Sequence, residues 1–228
     1  MNRKIFSAGI RILFLVIVGL LANPVVAQQN NGLISKQEIS GFEKENPLFL
    51  VNIGDANLAV RYHKGEGIPI IFVHGSWSDH KSWLPIADKL SRQVKNPIVL
   101  YDRRGHSAST PDMQQGSITQ DVNDAIALMK VLGIEKANFA GHSYGSNIVI
   151  LLATKHPEHV NDIFVYEPPL FGIVKGKPEY KNDLMTVKKA MLSAKALLEK
   201  GEIEKGTIQF IENVAFGKGS WQNVFDKS

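Results

Sequence analysis

Cysteine is absent from the whole 228-residue chain. The chain therefore cannot form a disulfide, use a thiol nucleophile or bind a metal through thiolates. It also has no internal repeat and no long tract of proline, serine or glutamine, while 44% of its residues are hydrophobic. This length and composition predict one domain that is stabilised by a single sizeable core.

A strong excess of charge is lacking as well. The formal net charge is +4, but Arg3, Lys4 and Arg11 lie within residues 1–27, which contain no acidic residue. Without that segment the chain carries a net charge of +1, with both signs interspersed. Nucleic-acid binding needs a concentrated basic surface, so we expect no nucleic-acid partner.

No hydrophobic run is long enough to span a membrane. Residues 12–21 form an apolar run of ten residues, against the ~20 that a spanning helix needs. Arg3 and Lys4 precede this run, Pro24 ends it, and Val25 and Ala27 supply small side chains at the −3 and −1 positions of a cleavage site. Residues 1–27 are therefore predicted to be a signal peptide that is cleaved after Ala27, and not an anchor. The mature protein would be periplasmic or secreted, without stable membrane association.

Strand-like and helix-like segments alternate after a polar leader that runs from Gln28 to about Pro47. The predicted strands are residues 48–53, 58–63, 69–73, 97–101, 136–140 and 162–166. The predicted helices between them are residues 83–93, 118–132 and 146–156. This alternation predicts an α/β fold over residues 28–174, with a mostly parallel sheet and helices on both faces.

The character of the chain changes over residues 175–228, which are rich in lysine and show no strand pattern. Residues 180–200 and 203–216 are amphipathic, and one apolar face of the first helix is formed by Leu184, Val187, Met191, Ala194 and Leu198. We expect these helices to form an incomplete helical cap, or lid, over the sheet.

The most informative motif is Gly141-His142-Ser143-Tyr144-Gly145, which matches G-x-S-x-G. It follows a predicted strand directly and precedes a predicted helix, as the sharp turn of a nucleophile elbow requires. Such a turn exposes the serine hydroxyl and directs the positive end of the helix toward it. The pattern predicts that Ser143 is a nucleophile and that the backbone N–H of Tyr144 stabilises the oxyanion formed by its attack.

Two further motifs extend this pattern into a family resemblance. His74-Gly75-Ser76-Trp77 follows one predicted strand, and Tyr101-Asp102-Arg103-Arg104-Gly105-His106-Ser107 follows the next. Over roughly residues 48–169 the chain resembles the α/β-hydrolase superfamily, in particular its small esterase and haloperoxidase-like serine hydrolases. The resemblance implies that the backbone N–H of Ser76 completes the oxyanion hole and that His74 is a buried structural residue. It also implies a small ester-like substrate and neither a metal nor an organic cofactor.

The same resemblance indicates that a catalytic residue is missing from this sequence. In the α/β-hydrolase superfamily the catalytic triad runs in the chain order serine, acid, histidine. No histidine follows His159, and the last two strands and helices of the fold have no counterpart in the sequence. We expect the sixth predicted strand, residues 162–166, to be left as an open sheet edge. Glu167 follows this strand and is either the triad acid or a carboxylate that binds backbone N–H groups.

Three explanations fit this gap: a truncated hydrolase, a natural non-catalytic relative, or an enzyme with an unusual base. The first predicts a serine hydrolase that forms an acyl-enzyme on Ser143 but lacks its triad histidine. The second predicts a protein that binds a small hydrophobic ligand. Hydrolysis of an ester and cofactor-free perhydrolysis are not distinguished by the sequence, and neither the substrate nor the oligomeric state is specified.

Overall fold

The computed structural model describes residues 12–14, 36–109 and 116–225. Over these residues the chain contains a seven-stranded sheet. In chain order the strands are β1 (Ile12–Phe14), β2 (Phe49–Asn52), β3 (Asn57–His63), β4 (Ile70–Val73), β5 (Ile98–Tyr101), β6 (Ala137–His142) and β7 (Val160–Tyr166). Each of the six strands predicted from the sequence is present, with its ends within two residues of the prediction.

Seven α-helices accompany the sheet in the described residues. They are α1 (Lys36–Glu45), α2 (Leu84–Ser91), α3 (Ile118–Val131), α4 (Tyr144–Lys155), α5 (Phe171–Val174), α6 (Lys181–Glu199) and α7 (Ile203–Phe210). The helical segment that was expected to run to residue 216 continues beyond α7 as a π-helical turn, Ile211–Ala215. No described helix combines the length and the apolar character that crossing a bilayer would require.

The strands lie in the order β1-β7-β6-β4-β5-β3-β2. β2 pairs with β3 and β3 with β5 in antiparallel fashion, whereas all the other neighbouring strands are parallel. The predicted α/β class with a mostly parallel sheet is therefore confirmed.

Helices cover both faces of the sheet. Because successive side chains of a strand point to opposite faces, one strand contributes to the hydrophobic clusters on both sides. In β4, Ile71 and Val73 belong to a hydrophobic cluster that includes residues of α3 and α4, whereas Phe72 belongs to a second cluster with residues of α1 and α2. A strand that is buried on both sides needs a continuous apolar sequence, which is what residues 70–73 provide. The sheet is consequently held rigidly between two helical layers.

One helix was not predicted. The segment interpreted as a polar leader contains α1, and its Phe42 is only 2% exposed. This ring stacks on His63 with ring centroids 5.6 Å apart and joins the same cluster as Trp83 and Leu84. Ile39 and Phe42 are the only two large apolar residues of α1, which is a weak periodic signal, so the burial of α1 depends on tertiary contacts.

The edge of the sheet beyond β7 differs from the expectation of an open strand. β1 pairs with β7 in parallel over three residues, from Ile12 opposite Ile163 to Phe14 opposite Val165. Apart from this short strand, the predicted signal peptide and its cleavage after Ala27 lie outside the described residues and stay a prediction.

The chain divides into two compact units, residues 1–169 and residues 170–228. The sequence placed this change of character at residue 175. Within the second unit α6 packs against α7, with Ala194 fully buried. Met191, predicted to lie on the apolar face of its helix, is 45% exposed, so that face is only partly buried within the described residues. The role of this unit as a cap stays a prediction.

Candidate active site

Ser143 is the single residue between a strand and a helix. β6 ends at His142 and α4 begins at Tyr144, and the Ser143 backbone has φ 52° and ψ −122°. Non-glycine residues rarely adopt a positive φ, and holding one there costs about 1–3 kcal/mol. Two backbone hydrogen bonds of 2.9 Å maintain the turn, from Ser143 N–H to the Tyr166 carbonyl and from Ser146 N–H to the Ser143 carbonyl. The sharp strand-to-helix turn that the motif predicts is present.

The glycines of the motif allow α4 to pack closely against the sheet. A Cβ atom on Gly141 would lie 2.6 Å from the carbonyl oxygen of Gly145. A Cβ atom on Gly145 would contact the carbonyl oxygen of Val73 and lie 2.7 Å from that of His74. Real side chains do not approach backbone oxygens so closely. Glycine at both positions therefore lets the first turn of α4 reach the ends of β4 and β6.

The two predicted oxyanion-hole residues lie beside this turn. β4 and β6 are parallel neighbours with Val73 opposite Gly141, so the loops that follow them emerge at the same edge of the sheet. A Cβ atom on Gly75 would lie only 3.1 Å from Cβ of Ser143, so the Gly75–Ser76 backbone lies against the serine side chain. Tyr144 is the first residue of α4, where helix N–H groups carry partial positive charge.

The described side chains include no base that is hydrogen-bonded to the hydroxyl of Ser143. Its Oγ atom makes no hydrogen bond with any other described residue. The nearby ring of His74 is fully buried, and both of its nitrogens are used: Nδ1 donates to the Gly75 carbonyl and Nε2 accepts from the Arg103 N–H, each over 2.9 Å. Burial lowers the pKa of His74 to about 3. This neutral, locked ring has the structural role that the resemblance implies.

Comparison with known families agrees with this geometry. The α/β hydrolase fold family matches residues 68–192, which is more than half of the chain and includes the elbow and the loop after β4. The chain belongs to the α/β hydrolase fold family.

Relatives of this α/β hydrolase chain include proteins named as hydrolases and proteins named as acetyltransferases. A protein from Azorhizobium caulinodans named as carbamate hydrolase RutD is 32% identical over 49% of this chain and 41% of its own length. The (E)-2-((N-methylformamido)methylene)succinate hydrolase of Acinetobacter baylyi is 28% identical over 46% of this chain and 39% of its own length. The chain thus spans less than half the length of these curated relatives.

A solved structure supports the fold alone. The structure of a Pseudomonas aeruginosa protein described as an epoxide hydrolase mutant matches 74% of this chain and 60% of its own, with a TM-score of 0.58 and 21% identity. Since the identity is low, this likeness concerns the arrangement of strands and helices of an α/β hydrolase and not the chemistry of its site.

Glu167 follows β7 at the same edge of the sheet, with φ 50° and a side chain that is 60% exposed. In the part of the chain that the structure describes, its carboxylate accepts no backbone N–H and lies 3.7 Å from Nε2 of His142. The His142 ring stacks on Tyr166, with centroids 5.4 Å apart. Burial lowers the pKa of His142 despite the nearby carboxylate. Of the two roles expected for Glu167, backbone binding is not seen, and the role of triad acid stays a prediction.

Two residues of the site were missed by sequence reasoning. Ser146 is fully buried, and its hydroxyl lies 2.6 Å from the Gly141 carbonyl and 3.1 Å from the Tyr166 N–H, so it joins the elbow to β7. Arg103 was noted only as part of the motif after β5, but its guanidinium reaches the Gly75 carbonyl over 3.0 Å. The position of Ser146, a small polar residue near the start of an apolar helix, was a signal that could have indicated its role. No local sequence pattern indicated the role of Arg103.

Asp79, His80 and Asp102 form a cluster whose spacing would suit a metal ion. Its atoms are already used otherwise. His80 Nδ1 lies 2.7 Å from Asp102 Oδ1, and Arg61 Nε donates to His80 Nε2 over 3.1 Å. Since Nε2 accepts a hydrogen bond from Arg61, Nδ1 carries the ring proton and donates a hydrogen bond to Asp102. The ring has no lone pair left for a cation, so the cluster acts as a structural network.

Proposed function

We propose that this α/β hydrolase is a serine hydrolase that cleaves an ester-like bond in a small molecule through an acyl-enzyme on Ser143. The observation that carries the proposal is the strained Ser143 backbone between β6 and α4, with the Gly75–Ser76 backbone against its side chain. Strain of this kind persists where the surrounding structure maintains it, and it is concentrated at functional sites. The hydrolase names of the two relatives described above support the same class of reaction.

The chemistry follows from the arrangement. Oγ of Ser143 bonds to the carbonyl carbon of the substrate and loses its proton to a base, and the carbonyl oxygen becomes an oxyanion. The N–H groups of Ser76 and Tyr144 donate hydrogen bonds to that oxygen. Collapse of the intermediate expels the alcohol, which takes up the proton from the base. Water then attacks the acyl-enzyme in the same way, releasing the acid and restoring Ser143.

The base is the missing component. No histidine follows His159 in the sequence, and no described side chain is hydrogen-bonded to Ser143 Oγ. We propose that these 228 residues lack the triad histidine and that Glu167 is at most its acid partner. Small imidazole molecules should then substitute for the absent side chain, because a serine hydroxyl needs a base of that kind near neutral pH.

The experiment measures covalent labelling of the purified chain by an alkyl fluorophosphonate with intact-mass detection. We expect slow labelling in buffer, a rate that rises with imidazole concentration and saturates, and an adduct of one probe per chain. Ser143→Ala is the control and should show no adduct at any imidazole concentration.

Two other results would change the conclusion. Rapid labelling of Ser143 without imidazole would show that the chain supplies its own base. No labelling of a folded chain at any imidazole concentration would refute the hydrolase proposal and favour the non-catalytic alternative, a protein that binds a hydrophobic ligand without turning it over.

Export belongs to the same proposal. The support is in the sequence, where Arg3 and Lys4 precede an apolar run and Val25 and Ala27 mark a cleavage site. Cleavage after Ala27 would also remove β1 from the edge of β7. Intact-mass analysis of protein recovered from the periplasm of a bacterial host should show a chain that begins at Gln28, and retention of residues 1–27 would contradict this.

A further inference from the structure

The guanidinium of Arg103 lies against the loop that carries one half of the candidate oxyanion hole, and its side chain is only 1% exposed. Its Nη2 atom donates to the Gly75 carbonyl over 3.0 Å, and its Nε atom donates to the His74 carbonyl over 3.2 Å. Two consecutive carbonyls of the loop after β4 are thus held by one side chain. A planar guanidinium suits this task because its donors point in fixed directions.

The Gly75 carbonyl receives a second hydrogen bond, from Nδ1 of His74 over 2.9 Å. The described chain has no cis peptide bond, so the N–H of Ser76 points away from the carbonyl of the same peptide. Fixing the Gly75 carbonyl from the Arg103 side therefore fixes the direction of the Ser76 N–H. Donors to a carbonyl also polarise the N–H of its peptide and strengthen the hydrogen bond that it gives.

The same guanidinium contacts the second half of the oxyanion hole. Its central carbon lies 5.0 Å from the centroid of the Tyr144 ring, which is cation–π distance. Tyr144 supplies the other backbone N–H at the start of α4. One buried cation therefore contacts the carbonyl of the Gly75–Ser76 peptide and the ring of Tyr144, and these two residues carry the N–H groups proposed to bind the oxyanion, Ser76 through that peptide and Tyr144 directly.

The charge of Arg103 is balanced by one carboxylate. Nη1 lies 3.2 Å from Oδ1 of Asp121, whose side chain is 1% exposed, and Nη2 lies 3.1 Å from Nε2 of His106. Burial raises the pKa of Asp121. In a poorly solvated interior, the charge of Arg103 acts on a negative charge developing near Ser143 more strongly than it would at the surface.

We propose that Arg103 is a positioning residue of the oxyanion hole, holding the Gly75–Ser76 peptide so that the Ser76 N–H faces the oxyanion formed on attack by Ser143. This inference rests on the proposed function, which makes Ser143 the nucleophile. It assigns to the loop after β5 a part in transition-state stabilisation in addition to its structural role.

The first test reads the position of the peptide and does not require reactivity. Backbone amide NMR spectra are compared for the wild-type chain, Arg103→Lys and the matched control Arg104→Lys. Arg104 is also buried and in the same loop, but it pairs with Asp124 and Asp55. We expect the Ser76 amide resonance to shift and its order parameter to fall in Arg103→Lys, and both to match the wild type in Arg104→Lys.

The second test measures the rate of Ser143 modification by the fluorophosphonate at saturating imidazole. In this step the Ser143 Oγ–phosphorus bond forms, fluoride leaves and imidazole takes the proton, while negative charge grows on the phosphoryl oxygen. Displacing one oxyanion donor should lower the rate about 10- to 100-fold in Arg103→Lys and by less than about 3-fold in Arg104→Lys. If Arg103→Lys and Arg104→Lys lose equal thermal stability but Arg103→Lys loses more of the labelling rate, the effect of Arg103 is one of positioning and not of general destabilisation.

The outcomes separate the two proposals. If the wild-type chain is not labelled with imidazole, the proposed function fails and the Ser76 resonance alone decides the role of Arg103. A Ser76 amide that is unchanged in Arg103→Lys, or a labelling rate equal to that of Arg104→Lys, overturns the inference. If Arg103→Lys does not fold, Arg103→Gln, whose amide still donates one hydrogen bond, is measured in the same way against the same limits.

Discussion

The two compact units of this α/β hydrolase chain stabilise themselves in different ways. In residues 1–169 the sheet is sealed between helices, and strand residues such as Val60, Val73 and Val99 are completely buried. In the described part of residues 170–223 the buried positions are Ala190, Ala194 and Gly206. The first unit therefore rests on large apolar side chains, whereas the second rests on the close approach of two helices through small residues.

Glycine allows close packing in both units, but the atoms that pack against it differ. A Cβ atom on Gly206 would lie 2.7 Å from the Leu198 side chain, which can move, whereas the glycines of the elbow face backbone oxygens, which cannot. A mobile neighbour tolerates a substitution better than a fixed one. The elbow is thus the less adaptable of the two environments, which suits a site that must hold a strained serine.

The largest difference between the units should appear when leucine side chains are truncated. Leu128 is fully buried and Leu192 is 56% exposed. We expect Leu128→Ala to lower the free energy of unfolding by about 2–5 kcal/mol and Leu192→Ala by less than about 0.5 kcal/mol. Urea denaturation followed by circular dichroism measures both. Similar losses for the two variants would mean that the exposed face of α6 is buried in solution.

The next difference concerns added methyl groups. Gly145→Ala places a Cβ atom against the backbone of β4, whereas Gly172→Ala places one in α5 with no atom within 4 Å. We expect a loss of about 3 kcal/mol for the first variant and no loss for the second, since alanine is the better helix former. Urea midpoints give the comparison. A tolerated Gly145→Ala would contradict the close packing of α4 at the elbow.

Hydroxyl groups provide a third comparison. Ser146→Ala removes the link from the elbow to β7, whereas Thr186→Ala removes an exposed hydrogen bond to the Asn182 carbonyl within α6. We expect losses of about 2 kcal/mol and less than about 0.5 kcal/mol, because the first change leaves buried backbone groups without partners. Fluorophosphonate labelling should also slow in Ser146→Ala alone. Equal labelling rates in Ser146→Ala and Thr186→Ala would show that Ser146 does not maintain the geometry of Ser143.

The smallest effect is that of pH, and it should arise in the first unit because all seven histidines precede residue 169. Burial lowers the pKa of His74 to about 3. The unfolded chain therefore gains a proton near pH 6.5 that the folded chain does not accept until about pH 3, so stability decreases as the pH falls between these values. From pH 7.5 to 5.5 we expect a loss of about 1.4 kcal/mol from this group.

One variant checks the assignment of this pH effect. Denaturation at pH 7.5 and at pH 5.5 should show a smaller pH dependence in His74→Asn than in the wild-type chain. A His74→Asn variant with the full pH dependence of the wild type would assign the effect to other histidines, of which His106 and His142 also have pKa values lowered by burial.

Local patterns predicted much of the core architecture. Residues 70–73 and 98–101 are continuously apolar, which indicates strands buried on both faces, and the strand, Gly-x-Ser-x-Gly and helix order predicted the turn at Ser143 before any contact was known. Helix α1 was not predicted, because Ile39 and Phe42 are its only large apolar residues and the segment around them is polar. The edge beyond β7, which was expected to be open, is occupied by β1 in the full chain, and this partner could not be predicted because it lies about 150 residues earlier in the sequence.

By itself, the sequence determined the strands, the α/β class, the family resemblance and the position of the candidate nucleophile. These depend on the period of apolar residues and on glycines whose backbone freedom is a property of the residue. Only the tertiary structure decided that Arg103 binds the Gly75 carbonyl, that Ser146 joins the elbow to β7, and that Glu167 faces His142. These contacts join residues on separate strands and loops, and their geometry exists only once the parallel strands bring their carboxyl ends together.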